Sequence, residues 1–252
     1  MAAGVVSPAC ASAAARRRRW RSNSSTERGY GAGAVRTLSR SAVRAFYDRL
    51  GRGLDSQAFY ENPALDDLVR EGDFASARSV LEFGCGTGRL AARLLATHLP
   101  PNAQYVGLDI SPRMIAISTR RLAPWRTRVR LEATAGSPLL PAADASVDRV
   151  IATYVLDLLP EPEARAFLGE ARRILTPGGR LCLVSLTFGE SGPSRWVSRI
   201  WMALFRLHPI LTGGCRPIRL APLLDPAAWC ITHRRRVQSF GVSSEVIVAR
   251  PT

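Results

Sequence analysis

Between residues 77 and 189, short apolar runs alternate with amphipathic stretches of helical period, and this alternation constrains the fold more than any other feature of the chain. The runs "RSVLEF" (78–83), "QYVGLDI" (104–110), "RVRLEA" (128–133), "SVDRVIATYVL" (146–156) and "RLCLVSL" (180–186) read as strands. "RLAARLLATHL", "SPRMIAISTRRL" and "EPEARAFLGEARRIL" read as the helices between them. Ser111 stands where an N-cap belongs, with Pro112 at the first helical position. Glu161 and Glu163 open the third helix and Arg172 and Arg173 close it, the charge order a helix dipole favours. "TPGG" (176–179) is expected to stop that helix. Short apolar strands alternating with helices imply an α/β protein: a doubly wound, mostly parallel sheet with helices on both faces.

The flanks depart from this rhythm. Residues 1–40 are rich in Ala, Ser and Gly, carry the run Arg16–Arg19 and contain no acid before Glu27. That is the composition of a transit peptide to a mitochondrion or chloroplast, and equally of a disordered basic tail or a misassigned start in a cytoplasmic protein. Residues 41–76 read as a helical cap, in which Val43, Phe46, Tyr47 and Leu50 share one face and a second helix spans 58–69. Residues 190–252 read as a substrate lid and closing strands. In this part "SRWVSRIWMALFRLHPIL" is an amphipathic helix ending before Pro209, and "AWCITHRRRVQ" and "SSEVIVAR" flank "SFG" as an antiparallel hairpin.

The formal net charge of +15 suggests nucleic acid until it is divided along the chain. Residues 1–50 hold 10 Arg against Glu27 and Asp48, and residues 190–252 hold 9 Arg against three acids. Residues 51–189 hold 16 Arg against 15 acids, so the alternating segment is nearly neutral and offers no broad phosphate track. The five cysteines are widely spaced without a CxxC pair, and His98, His208 and His233 are scattered, so neither a metal site nor a disulfide framework is signalled.

"VLEFGCGTGRLAARLL" (80–95) concentrates the chemistry. Its glycines fall as GxGxG at Gly84, Gly86 and Gly88, with Arg89 where the third glycine of a GxGxxG dinucleotide loop would stand. Glu82 precedes the loop near the strand end, where a carboxylate would repel a pyrophosphate but suit an amino group or a sulfonium. Asp109, 25 residues after Gly84, ends the next strand, where an acid can accept both hydroxyls of a ribose. "VLEFGCGTG", "VGLDIS", "LLPAADASVDRVIA" and "ILTPGGRLCLVS", in this order and spacing, resemble the Rossmann-like class I S-adenosylmethionine-dependent methyltransferases. The resemblance is greatest to the type 11 branch that includes the ubiquinone/menaquinone-biosynthesis enzymes.

The resemblance implies S-adenosylmethionine as cofactor and no metal. Glu82, Gly84, Cys85, Gly86 and Gly88 would line its methionine half, Asp109 its ribose, and Ile110 and Met114 its adenine. Thr153 and Tyr154 would face it from the end of the fourth strand, and Tyr47 resembles an N-terminal tyrosine that closes over such sites. Many relatives carry an Asp where this chain has Gly136, which passes the adenine contact to backbone groups or to Ser137. Asp157 and His208 are positional candidates for a general base. The tetrapeptide of nucleic-acid-base amino-methyltransferases is replaced by "TYVLDLLP", so no specific nucleic-acid partner is expected. Tryptophan and arginine along 193–208 point to a small lipophilic or aromatic acceptor, a lipid among them, and to peripheral contact with a membrane. An RNA- or protein-directed methyltransferase using its basic ends, and a noncatalytic nucleoside-binding module, are the other readings.

Overall fold

The computed structural model describes residues 37–190 and 192–252; the basic segment before Thr37 lies outside the described residues. Two helices lead in, α1 (Arg40–Leu50) and α2 (Ala58–Glu71), joined by a 3₁₀ turn over Gly51–Gln57. The alternating segment follows: β1 (Ser79–Phe83), α3 (Arg89–Thr97), β2 (Gln104–Asp109), α4 (Pro112–Arg121), β3 (Val129–Ala133), β4 (Val147–Thr153), α5 (Glu161–Ile174) and β5 (Leu175–Leu186). The chain closes with α6 (Gly192–Leu207), β6 (Trp229–Ser239) and β7 (Val242–Pro251).

The seven strands form one sheet in the order β3-β2-β1-β4-β5-β7-β6. The pairs from β3 through β5 are parallel, while β7 runs antiparallel to both β5 and β6. The hairpin turns at Phe240 and Gly241, both at positive φ, as a two-residue turn compatible with strand twist requires. Its second arm is the inner one. β7 is buried from Ser243 to Ala249 and β6 is left as the half-exposed edge. This explains why "VIVA" is continuously apolar while "THRRRVQ" is not.

Burial on both faces makes the sheet doubly wound. Ala164, Phe167, Leu168 and Ala171 of α5 pack against Leu81, Val150, Leu183 and Ile247. On the other face, Leu65 and Leu68 of α2 and Leu90 and Leu94 of α3 cover Val80, Ile151, Val184 and Val246. "TPGG" behaves differently from its expected role as a helix stop. The helix ends at Ile174, Leu175 is already extended, and the tetrapeptide lies within β5 as an outward excursion. The register with β4 jumps from Val147↔Leu175 to Arg149↔Arg180, and Gly178 takes a φ of +86°. Among the described residues no helix is long and apolar enough to cross a membrane. Cys85, Cys182 and Cys215 are free thiols.

Candidate active site

The strand order reverses between β1 and β4, the place where open α/β sheets bind ligands beyond their strand ends. A cavity of about 450 Å³ opens there, within the range of small-molecule sites. Its floor is the glycine loop. The Gly84 and Cys85 amides both donate to the Leu108 carbonyl (2.8 and 2.9 Å), which folds the loop across the end of β2. Gly84, Gly86 and Gly88 have φ of +79°, +51° and +74°, a region L side chains avoid. At Gly84 there is no room either, because a Cβ would stand 2.1 Å from Val155 Cγ2.

Two carboxylates face this floor. Asp109 accepts from the Gly86 amide (2.8 Å) through Oδ2 and from the Ser111 amide (2.8 Å) through Oδ1. Each oxygen retains a lone pair for a further donor. Burial raises its pKa against these hydrogen bonds. Glu82 is buried, accepts from the Tyr105 hydroxyl (2.7 Å) and is pushed up to about 7 by burial. Cys85 fills space beneath the loop, and burial raises its thiol well above its ordinary value, the opposite of what a nucleophile needs.

The cap from the first two helices encloses the cavity. The Ser111 hydroxyl donates to Asp48 Oδ1 (2.5 Å), tying α1 to the start of α4, and places Tyr47 on the wall with its hydroxyl 3.6 Å from Cys215 Sγ. Arg89 pairs with Glu61 of α2 and donates to Asn62 Oδ1 (3.0 Å). Thr87 donates to Asp55 Oδ1 (2.6 Å), and Arg121 pairs with the same carboxylate while donating to the Thr87 carbonyl (3.0 Å). Arg40 meets Glu163 at 3.1 Å across the rim. The two arginines of the cavity wall, Arg40 and Arg89, are therefore both neutralised by acids. A phosphate would find no free cation among the described residues of the wall, whereas two carboxylates and close backbone suit a cationic nucleoside.

The structure brings Glu82, Gly84, Cys85, Gly86, Asp109, Ile110, Met114, Thr153, Tyr154 and Tyr47 to this one cavity. Gly88 stands just behind it as the left-handed N-cap of α3, packed against Ser118 of α4. Three expectations need correcting. Ser137 is off the wall, where Thr134 and Gly136 stand instead; its hydroxyl turns along the chain to accept from the Leu139 amide (3.3 Å). His208 is exposed beyond the end of α6 and does not reach the cavity. Asp157 is wholly buried behind the wall, its Oδ2 accepting from the Leu186 amide (3.2 Å) and its Oδ1 without a partner. Burial raises it to about 6, but it does not line the cavity and so does not touch an acceptor there.

The sequence reading passed over Asp55, Glu61, Arg121, Thr134 and Cys215, all of which hold or line the site except Arg121, which braces it. Their contacts join segments far apart in sequence, so no local motif announces them. Tyr154 shows its role only in the backbone. Its φ is +55°, and its hydroxyl lies 2.9 Å from Ser244 Oγ on β7.

Residues 80–179 match a family model described as a methyltransferase domain. The malonyl-[acyl-carrier protein] O-methyltransferase of Hahella chejuensis is 37% identical over 150 residues, covering 59% of this chain and 49% of that protein. This chain therefore spans about half the length of that relative. The demethylmenaquinone methyltransferase of Thermus thermophilus is 34% identical over 176 residues, covering 69% of this chain and 74% of that one. Among solved structures, the N-methyltransferase NodS of Bradyrhizobium japonicum in complex with S-adenosyl-L-homocysteine superposes with a TM-score of 0.62. It covers 83% of this chain and 98% of that one at 20% identity, a likeness of fold. With the glycine loop, the two carboxylates and the switch-point cavity in place, the chain belongs to the class I S-adenosylmethionine-dependent methyltransferases, of the ubiquinone/menaquinone-biosynthesis type.

Proposed function

We propose that this chain transfers a methyl group from S-adenosylmethionine to a small lipophilic or aromatic acceptor by direct displacement. The observation that carries the proposal is the composition of the cavity beyond the glycine loop. There the wall is made by Leu54, Leu65, Leu158 and Leu186 with Tyr47 and Tyr60, and its cations are paired with acids. The demethylmenaquinone methyltransferase of Thermus thermophilus, as its name states, acts on an acceptor of this kind, which supports the reading.

The cofactor supplies an electrophilic methyl carbon, already activated by its sulfonium charge. The chain's part is binding, alignment and exclusion of water. In this reading Asp109 takes the ribose hydroxyls on its free lone pairs, Thr134, Gly136, Ile110 and Met114 border the adenine, and Glu82 with the loop amides receives the amino-acid end. The cap pinned through Asp48, Asp55 and Glu61 shields the reacting atoms from water. Tyr47 and Tyr60, whose hydroxyls burial holds protonated, do not serve as bases, and the Tyr60 hydroxyl donates to Gln57 Oε1 (2.9 Å).

Glu82 gives this reading a pH signature. Its folded pKa of about 7 lies above the ordinary carboxylate value, so in the empty site it is half protonated near neutrality. An ammonium group binds the ionised form, and cofactor affinity is therefore expected to rise as pH increases through about 7. In Glu82→Gln the affinity is expected to be lower and this dependence lost. Titration calorimetry at several pH values checks it, and a Glu82→Gln profile parallel to that of the wild type would remove Glu82 from amino-group recognition.

The acceptor class is tested by offering the full chain radiolabelled S-adenosylmethionine with separated lipid, small-molecule, RNA and protein fractions. Label is expected in the lipid or small-molecule fraction. Label confined to RNA or protein would overturn the proposed acceptor, and binding without transfer to any fraction would overturn the enzymatic reading.

A further inference from the structure

α6 has an inner and an outer face, and only the inner one is accounted for by packing. Ser194, Ser198, Met202 and Phe205 are buried. The Trp201 indole donates to the carbonyl of Cys215 (2.9 Å), and Cys215 lines the cavity, so the helix is tied to the active-site wall without itself lining it. On the outer face Trp196, Ile200, Leu204 and Leu207 follow one another at spacings of four, four and three. All are exposed, Trp196 by 64% and Leu207 by 78%, and Leu211 in the turn beyond continues the stripe at 60%. Isolated exposed apolar residues are ordinary, but an aligned row of them on one helix is a contact surface.

The charges around the row say what it contacts. The helix carries Arg195, Arg199 and Arg206 and no acid. The guanidinium of Arg199 lies over the Trp196 ring, 5.6 Å from its centroid, a pairing of cation and amphipathic ring that suits the depth of lipid headgroups. Glu190, the acid just before the helix, is engaged by Arg236. The surface is thus apolar along its centre and basic at its margins, complementary to a bilayer with anionic headgroups.

The geometry points to the outer face of α6 as a seat on an anionic membrane surface, with Trp196, Ile200, Leu204 and Leu207 entering the headgroup layer. The same helix is joined through Trp201 to Cys215 of the cavity wall, so the docked enzyme holds its acceptor site near the bilayer. The docking stands on the helix alone; its use for acceptor entry rests on the lipophilic acceptor proposed above.

The test uses the full chain with vesicles of phosphatidylcholine alone and of phosphatidylcholine mixed with phosphatidylglycerol. Sedimentation with the mixed vesicles and not with the neutral ones is expected. Ile200→Glu/Leu207→Glu is expected to lower the bound fraction about tenfold or more, because two apolar side chains leave the contact. Its affinity for S-adenosylmethionine should stay at the wild-type value, showing that the fold is intact. Acyl chains carrying bromine should quench tryptophan fluorescence in the wild type and much less in Trp196→Phe. Undiminished sedimentation of the double variant, or quenching that Trp196→Phe leaves unchanged, would place any lipid contact elsewhere, such as the Arg16–Arg19 run, and overturn the proposal. A wild-type dimer that ignores vesicles and that the double variant makes monomeric would also overturn it, assigning the stripe to a second copy of the chain. None of these outcomes alters where a labelled methyl group is found, so docking and acceptor class succeed or fail separately.

Discussion

Asp109→Ala is expected to weaken S-adenosylmethionine binding by about 1.5–3 kcal/mol, roughly 10- to 150-fold in Kd, the scale of lost charged hydrogen bonds. The carboxylate lies at the end of β2 on the cavity wall, and its two oxygens are held by the Gly86 and Ser111 amides. Those amides fix its orientation in advance, so little ordering opposes binding. They also make the substitution act twice, since the loop loses an anchor as the ribose loses an acceptor. Calorimetry on a variant whose thermal unfolding remains cooperative measures the combined effect. Wild-type affinity in such a folded variant would remove Asp109 from the site.

Gly84→Ala is expected to destabilise the fold by about 2–5 kcal/mol, combining a left-handed backbone penalty with overpacking. The two contributions can be separated. Gly84 has a φ of +79° and a Cβ there would stand 2.1 Å from Val155 Cγ2, whereas Gly178 has a φ of +86° and open space around it. Gly178→Ala should therefore show the backbone cost alone, about 1–2 kcal/mol. Gly84→Ala/Val155→Ala should recover part of the steric loss and none of the backbone loss. Denaturant unfolding of the three variants gives these differences, and equal losses in Gly84→Ala and Gly178→Ala would show that the contact with Val155 carries nothing. Cofactor affinity should fall with Gly84→Ala even where the protein remains folded, because the loop can no longer lie across the end of β2.

The parts of the site that were legible in sequence share one property: each follows from residues adjacent along the chain. A glycine must be a glycine where φ is positive, whatever packs around it. Ser111 and Pro112 start a helix through contacts within a single turn. Asp109 ends a strand whose apolar run is visible in the one-dimensional pattern. The misplaced residues fail for the complementary reason. Asp157 stands three residues after the cavity-lining Tyr154, which makes it a plausible base in one dimension. Tyr154 then takes a left-handed φ, the chain turns, and the carboxylate is carried behind the wall to the Leu186 amide. Ser137 is one residue from Gly136 on the wall, but its hydroxyl is spent on the Leu139 amide. Arg89, which distinguishes this loop from a dinucleotide loop, finds its partner Glu61 on a helix 28 residues upstream.

By itself the sequence determined the α/β class, the sulfonium-nucleoside loop and the carboxylate that ends β2, because local backbone geometry and strand–helix periodicity are written in neighbouring residues. Only the tertiary structure decided that β7 lies inside β6, that α1, α2 and the turn between them close the cavity through Asp48, Glu61 and Asp55, and that Asp157 and His208 stand outside it. Those outcomes depend on which distant surfaces pack together, and burial of apolar area is indifferent to the order in which the chain presents it.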